Sequence, residues 1–279
     1  MYLSGKPLVS VVIPSYNHSS YVKESIVSVI NQDYENIELI IIDDGSTDES
    51  VSFINELVPQ CRSRFKRFEF LCRENMGLGA TLNQAIRWCE GVFLSCIASD
   101  DMYQRNKTSI QVEYLLKNEN ASGVFGGIDV LYNDGNTREL SWPSKKYNFD
   151  DIFLHNHHLP APTSLLRISD IKESNLYLED NIIEDWSMWL QLTKKGKTLD
   201  LLEQVFSVYR RHGNNTSLRF DDMQEARINI INMYDSHPLY IQALARAYEI
   251  GAKDSYNVDR VKSEVFLEKA NALYASLKI

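Results

Sequence analysis

Four apolar runs recur in the first hundred residues, and amphipathic stretches separate them. Pro7 to Pro14 reads as a first strand, too continuously apolar to have a wet face. Glu38 to Ile42 reads as a second buried strand and Phe68 to Arg73 as a third. Val92, Phe93, Leu94 and Ile97 form a fourth, buried on both faces, with Ser95, Cys96 and Ala98 small enough to lie among them. Val22, Ile26, Val29 and Ile30 recur at helical spacing, and Ser19 or Ser20 is placed to cap a helix from about Tyr21. Ser46 with Glu49 three residues later has the form of a capping box that starts a second helix. A third helix runs from about Ala80 to Cys89 and is ended by Gly91. This alternation predicts an α/β fold with a parallel sheet and right-handed crossovers.

Beyond Asp101 the pattern changes. Lys107 to Asn118 reads as a helix, Gly123 to Ile128 as a strand, and Asn133-Asp134-Gly135-Asn136 as the turn of a hairpin. His155 to Pro162, with three histidines and two prolines, reads as a loop, and Ser164 to Arg167 as a short strand. Glu184 to Lys195 is helical, with Trp186, Trp189, Leu190 and Thr193 along one side and Gly196 as its stop. Leu199 to Leu202 and Phe206 to Arg211 have the look of antiparallel edge strands. From Met223 onward the chain reads as helices broken near His237-Pro238 and Asp254 to Asn257.

A net charge of −9 leaves no strongly basic face, which argues against a nucleic-acid binder. No apolar run approaches the roughly 20 residues that span a bilayer, and the first six residues lack the layout of a signal peptide. The expected location is the cytoplasm. Cys61, Cys72, Cys89 and Cys96 show no paired spacing, so reduced, mostly buried thiols are expected rather than zinc or disulfides. Arg62, Arg64, Lys66 and Arg67, like Lys194, Lys195 and Lys197, read as solvated faces.

The candidate chemistry sits where apolar runs stop at acids. The fourth strand ends in Ser99-Asp100-Asp101, and paired carboxylates at a buried strand end call for a cation or a shared hydroxyl. Asp43-Asp44 follows the second strand. It is either a helix N-cap cluster or, with Ser46 and Asp48 serving the cap, a free Asp44 that binds a nucleobase or ribose. Tyr16 is placed to stack on a base or to serve as an ordinary loop residue. Gly77-Leu78-Gly79 lacks the full dinucleotide fingerprint. Glu184-Asp185 opens a helix, as a favoured first-turn pair or as the seat of a general base. His212 is a metal or phosphate ligand or an exposed loop histidine. His155, His157 and His158 lack convincing ligand geometry for zinc.

Taken together, Val9 to Asn17, Ile41 to Asp48 and Ser99-Asp100-Asp101 resemble the successive motifs of family 2 glycosyltransferases. Asn31-Gln32, Asn75 with Gly77, Glu184-Asp185-Trp186 and Tyr209-Arg210-x-His212-x-x-Asn215-x-Ser217 agree in order and spacing. The resemblance covers roughly residues 7 to 217. It implies a GT-A fold: a Rossmann-like, mostly parallel sheet flanked by helices, at residues 1–218. The donor half would span about 1–105 and the acceptor half about 106–218, with 219–279 as a C-terminal helical extension.

The same resemblance implies an inverting sugar transfer from a nucleotide-diphosphate donor, UDP-linked, to a saccharide or lipid-linked acceptor in surface polysaccharide synthesis. Pro14, Tyr16, Asp44, Asn75, Asn83, Ser99 and Asp100 would bind the donor, Tyr16 by stacking on the base, Asp44 by hydrogen-bonding it and Asp100 at the ribose. Asp101 and His212 would hold a divalent ion, Mn²⁺ or Mg²⁺. Asp185 would be the base, with Glu184 beside it. Where many relatives have an arginine, Leu82 precedes Asn83, which removes one phosphate or sugar contact. A lipid-linked acceptor would hold the enzyme peripherally on the inner face of the membrane. The sequence leaves a homodimer open. The competing readings are a metal-dependent nucleotidyltransferase, which would want a glycine- and lysine-rich phosphate loop that Ser15-Tyr16-Asn17-His18 is not, and a catalytically silent sugar-binding module.

Overall fold

The computed structural model describes residues 5–213, 215 and 218–277. Strand β1 (Val9–Ser15), helix α1 (Val22–Ile30), β2 (Ile37–Asp43), α2 (Ser50–Arg64), β3 (Arg67–Cys72), α3 (Leu78–Trp88) and β4 (Phe93–Cys96) follow in chain order. The four strands pair in parallel in the order β3-β2-β1-β4. All seven residues of β2 are buried because both sheet faces are covered. Val11, Ile13, Leu39 and Ile41 pack toward Ile26 and Ile54, while Val12, Ile40 and Ile42 pack toward Leu82, Ala85 and Ile86. The period of two thus serves two cores at once.

The second half continues with β5 (Met102–Tyr103), α4 (Lys107–Lys117), β6 (Ala121–Tyr132), β7 (Thr137–Leu140), β8 (Lys145–Tyr147), α5 (Phe149–Phe153), β9 (Leu165–Arg167), α6 (Ile168–Lys172), α7 (Glu184–Thr193) and β10 (Thr198–Arg211). β9 enters antiparallel between β4 and β6, and β10 lies parallel to β6. The Gly135 turn closes the β6–β7 hairpin, with Gly135 at φ +82°. Helices α8 (Phe220–Asn232), α9 (Tyr240–Ser255) and α10 (Arg260–Ser276) complete the chain. Ala226, Ile230 and Ile231 of α8 share one core with Trp186 and Trp189 of α7. Among the described residues no helix is long and apolar enough to cross a membrane.

Several local expectations are corrected. The two edge strands expected after Lys197 are one strand, β10, paired on both sides; register shifts between Leu201 and Ser207 bend it where Glu203 and Gln204 suggest a break. The Ser46–Glu49 capping box does not form. The Ser46 amide and hydroxyl turn back onto Asp43, and α2 begins at Ser50, whose amide donates to Asp48. Neither Ser19 nor Ser20 caps α1, which begins at Val22 without a side-chain cap. Helix α3 is already over at Trp88, and Gly91 serves close approach instead: a Cβ there would meet Ser10 Oγ at 2.5 Å. Val92 is exposed, ahead of β4, and Cys72 is exposed at the end of β3. Two of the expected surface cations are structural. Arg64 donates to the carbonyls of Ile30, Gln32, Tyr34 and Glu35, and Arg67 pairs with the fully buried Glu38 at 2.9 Å.

Candidate functional site

β1, β2 and β4 are neighbours in the sheet and run parallel, so their carboxyl ends lie together, the usual ligand position in such sheets. Ser15 and Asp43 end β1 and β2 opposite one another. Asp43 is spent on bracing the next turn, accepting from Ser15 Oγ, Ser46 N and Ser46 Oγ. The loop after β1 is zipped to this turn. Asn17, at φ +52°, accepts from Thr47 N, and His18 N donates to Ser50 Oγ. Tyr16, one residue past β1, is left 49% exposed, while Pro14 is a half-buried β1 residue opposite Ile42.

Asp44 is not free. It accepts from the amides of Met76 and Gly77 at 2.9 and 2.8 Å, and Arg73 Nη1 sits 2.5 Å away. Gly45, at φ +82°, makes this possible, because a Cβ there would strike Asn75 N at 2.8 Å. Asn75 itself is exposed. Asn83, expected at the donor, is buried, and its amide is bonded to Tyr177 and Glu179.

The acid pair after β4 divides its work. Asp100 Oδ2 lies 2.9 Å from His212 Nε2, and Asp100 Oδ1 lies 3.9 Å from His18 Nδ1. His18 Nδ1 also meets the buried Ser99 hydroxyl at 2.8 Å. Ligand atoms of His18, Asp100 and His212 all lie within 4.8 Å of one another. Asp101 points elsewhere and accepts from Arg210 N at 2.8 Å. Burial, reinforced by Asp100, pushes the Asp101 carboxyl well above the usual range. His212 therefore meets an acid of the pair, as the sequence suggests, but the acid is Asp100 rather than Asp101.

One carboxylate and two imidazoles at this spacing fit a divalent transition ion. Burial lowers the His18 pKa against the opposing pull of Asp100, with His212 adding to the lowering, which favours the neutral ring a metal needs. The His212 ring is held by stacking on Tyr21 (5.2 Å), and Arg210 covers Tyr21 at 4.7 Å. Asn215 Oδ1 accepts from His212 N and so braces the same turn. Ser217, the last residue of that signature, lies outside the described residues. His18 is the residue the sequence reading missed. Its only signal was a histidine in the loop directly after the first apolar strand.

Glu184 and Asp185 open α7. Burial and then Asp185 push Glu184 up to about 8, and burial raises Asp185. Asp185 Oδ1 accepts from Trp186 N at 2.6 Å. Glu184 acts electrostatically on Cys96, the last residue of β4, four positions before Asp100. Burial thus raises both acids at the start of α7, and each favours its protonated form more than a free carboxylate does.

The glycosyl transferase family 2 model matches residues 10–174. An uncharacterized glycosyltransferase of Haemophilus influenzae is 32% identical over 211 residues, covering 74% of this chain and 80% of its own length. A Bacillus subtilis glycosyltransferase named for teichuronic acid biosynthesis, TuaG, is 28% identical, covering 76% of this chain and 82% of its own length. The fold is shared with S. aureus TarS 1-349, solved in complex with UDP-GlcNAc, at a TM-score of 0.65 and 15% identity, across 97% of this chain and 91% of that one. The GT-A fold expected from the sequence is therefore the fold observed. The chain is an enzyme, a transferase, and belongs to family 2 of the glycosyltransferases.

Proposed function

We propose that this enzyme transfers a sugar from a UDP-linked donor, with inversion, to a hydroxyl of a saccharide or lipid-linked acceptor in polysaccharide synthesis. The observation that carries this reading is Asp100 set between two imidazoles just past the end of β4. Asp100, His212 and His18 would hold a divalent ion, which when bound supplies Lewis acidity to the departing diphosphate. Tyr16, exposed one residue past β1, stacks on the base. Asp44 and Arg73 form a single polar unit at the base edge, Arg73 offering donors that Asp44 alone lacks. Asp185 takes the proton of the attacking hydroxyl. Burial and then Asp185 push Glu184 up to about 8, which favours its protonated form and lessens the like charge beside Asp185.

Relatives named for polymer synthesis, TuaG among them, support a polysaccharide setting. Residues 219–279 form the helical extension in this proposal, packed against the half that contains α7. A lipid-linked acceptor would bring the enzyme to the inner membrane face. The test is a thermal-shift screen of nucleotide sugars with and without Mn²⁺, followed by nucleotide release in the presence of saccharide acceptors. A Mn²⁺-dependent shift with one UDP-sugar and acceptor-dependent release of UDP support the reading. Stabilisation by a nucleoside triphosphate with release of pyrophosphate would contradict it.

A further inference from the structure

The loop after α5 carries polar atoms removed from water without partners. His155 lies at φ +53°, a left-handed conformation that is costly for a residue other than glycine. Its ring stacks on Trp186, the neighbour of Asp185, with centroids 4.0 Å apart. The ring of His157 follows at 6.1 Å. His155 Nε2 and both ring nitrogens of His157 are buried and have no hydrogen-bond partner among the described residues. The same holds for the Nε atoms of Arg227 in α8 and Arg246 in α9.

Donors predominate in this set. A neutral imidazole carries one N–H, so His157 adds at least one unmatched donor to the two from the arginines. Each buried, unmatched donor costs about 1–3 kcal/mol. Arg227 meets Asp254 at 3.5 Å and Gln224 through its terminal nitrogens, and Arg246 Nη1 meets Glu249 at 2.8 Å; Nε is left over in both. Arg227 and Arg246 act on His155, and Asp151 acts on His157; the terminal nitrogens of the two arginines are already paired with Asp254 and Glu249. An oxyanion, which only accepts, answers the surplus of donors left at the two Nε atoms and at His157. A neutral hydroxyl brings a further donor of its own.

We propose that His155, His157, Arg227 and Arg246, beside Trp186, form an acceptor subsite for an oxyanion carried by the acceptor saccharide, a phosphate or a carboxylate. This rests on the reading of Asp185 as the base, since Trp186 ties the cluster to it.

The test follows the imidazole nitrogen signals of the metal-free full chain by NMR. His155→Asn, which tolerates the left-handed backbone, and His157→Phe, which keeps a ring, assign the signals. Inorganic phosphate or glucuronate, added at constant ionic strength, is expected to move the His155 and His157 signals, and glucose is not. Arg246→Met should weaken that response about tenfold, the loss of one charge-assisted hydrogen bond. A response to phosphate alone supports a phosphate-bearing acceptor, and one to glucuronate alone supports a uronic acid. No movement with either anion, or equal movement with glucose, overturns the proposal. Nucleotide release does not enter the measurement, so this subsite and the proposed transfer reaction fail separately.

Discussion

Asn83 and Tyr177, 94 residues apart in sequence, pin each other's polar groups. Asn83 Nδ2 donates to Tyr177 O at 3.0 Å, and Tyr177 N donates to Asn83 Oδ1 at 2.9 Å. Asn83 Nδ2 also reaches Glu179 Oε1. Gly79, one turn earlier on α3, lies so close that a Cβ would meet Glu179 Cα at 2.7 Å. The loop leading to α7 is therefore fastened to α3, five residues before Glu184. Asn83→Leu should destabilise the fold by about 1–3 kcal/mol, because it orphans both backbone groups of Tyr177. It should also lower the rate of transfer more than it weakens nucleotide binding. Denaturant unfolding together with kcat and Kd for UDP checks both; a variant with reduced UDP affinity and unchanged kcat would return Asn83 to the donor site.

Asp185→Asn should lower the transfer rate by about 100- to 10,000-fold while UDP binds as before, the span expected for a lost general base. The active form of a base is ionised, so the rate falls as pH drops through its pKa. Burial raises that pKa, so the acid limb of kcat/KM should lie above the ordinary carboxylate range. Glu184→Gln should retain most of the rate, since Glu184, pushed up to about 8, already favours its protonated form at neutral pH. An acid limb near 4 would contradict this assignment.

His18→Ala should weaken Mn²⁺ binding by roughly 10-fold or more and change Mg²⁺ binding little, because imidazole favours the transition ion over the harder one. Electron paramagnetic resonance of bound Mn²⁺ should also lose one nitrogen coupling. Equal losses for both ions would make His18 a structural residue that acts through Ser99.

Acid should loosen the acceptor side first. Burial holds His157 at about 4 against an ordinary 6.5, and it also lowers His155 well below that value. A histidine with a depressed folded pKa binds fewer protons folded than unfolded. Its contribution is therefore complete above pH 6.5 and is lost as pH falls toward 4. The loss should be on the order of 2 kcal/mol for His157. Urea midpoints between pH 7 and 5 check this, and His157→Phe should flatten the dependence.

The sheet was legible wherever burial on both faces left no polar alternation, as in Val9–Ser15 and Ile37–Asp43. The parallel order followed from the alternation of strands and helices. β10 was split in the reading because Glu203 and Gln204 sit at a bulge, where pairing skips residues that then face water. The site was legible as residue types at strand ends, but which acid faces which partner was not. Adjacent Asp100 and Asp101 point in different directions, and only the approach of β10 decides that Arg210 N takes one and His212 the other. His18 and the Arg73 partner of Asp44 were invisible for the same reason. Their roles depend on loops brought together from distant parts of the chain.

The most direct test is Mn²⁺-dependent UDP binding, measured by calorimetry on the wild type, Asp100→Asn and Asp185→Asn. The account predicts that Asp100→Asn loses about tenfold or more of the Mn²⁺-dependent affinity, while Asp185→Asn keeps it. Unaltered Mn²⁺-dependent binding by Asp100→Asn would contradict the placement of the ion between His18 and His212.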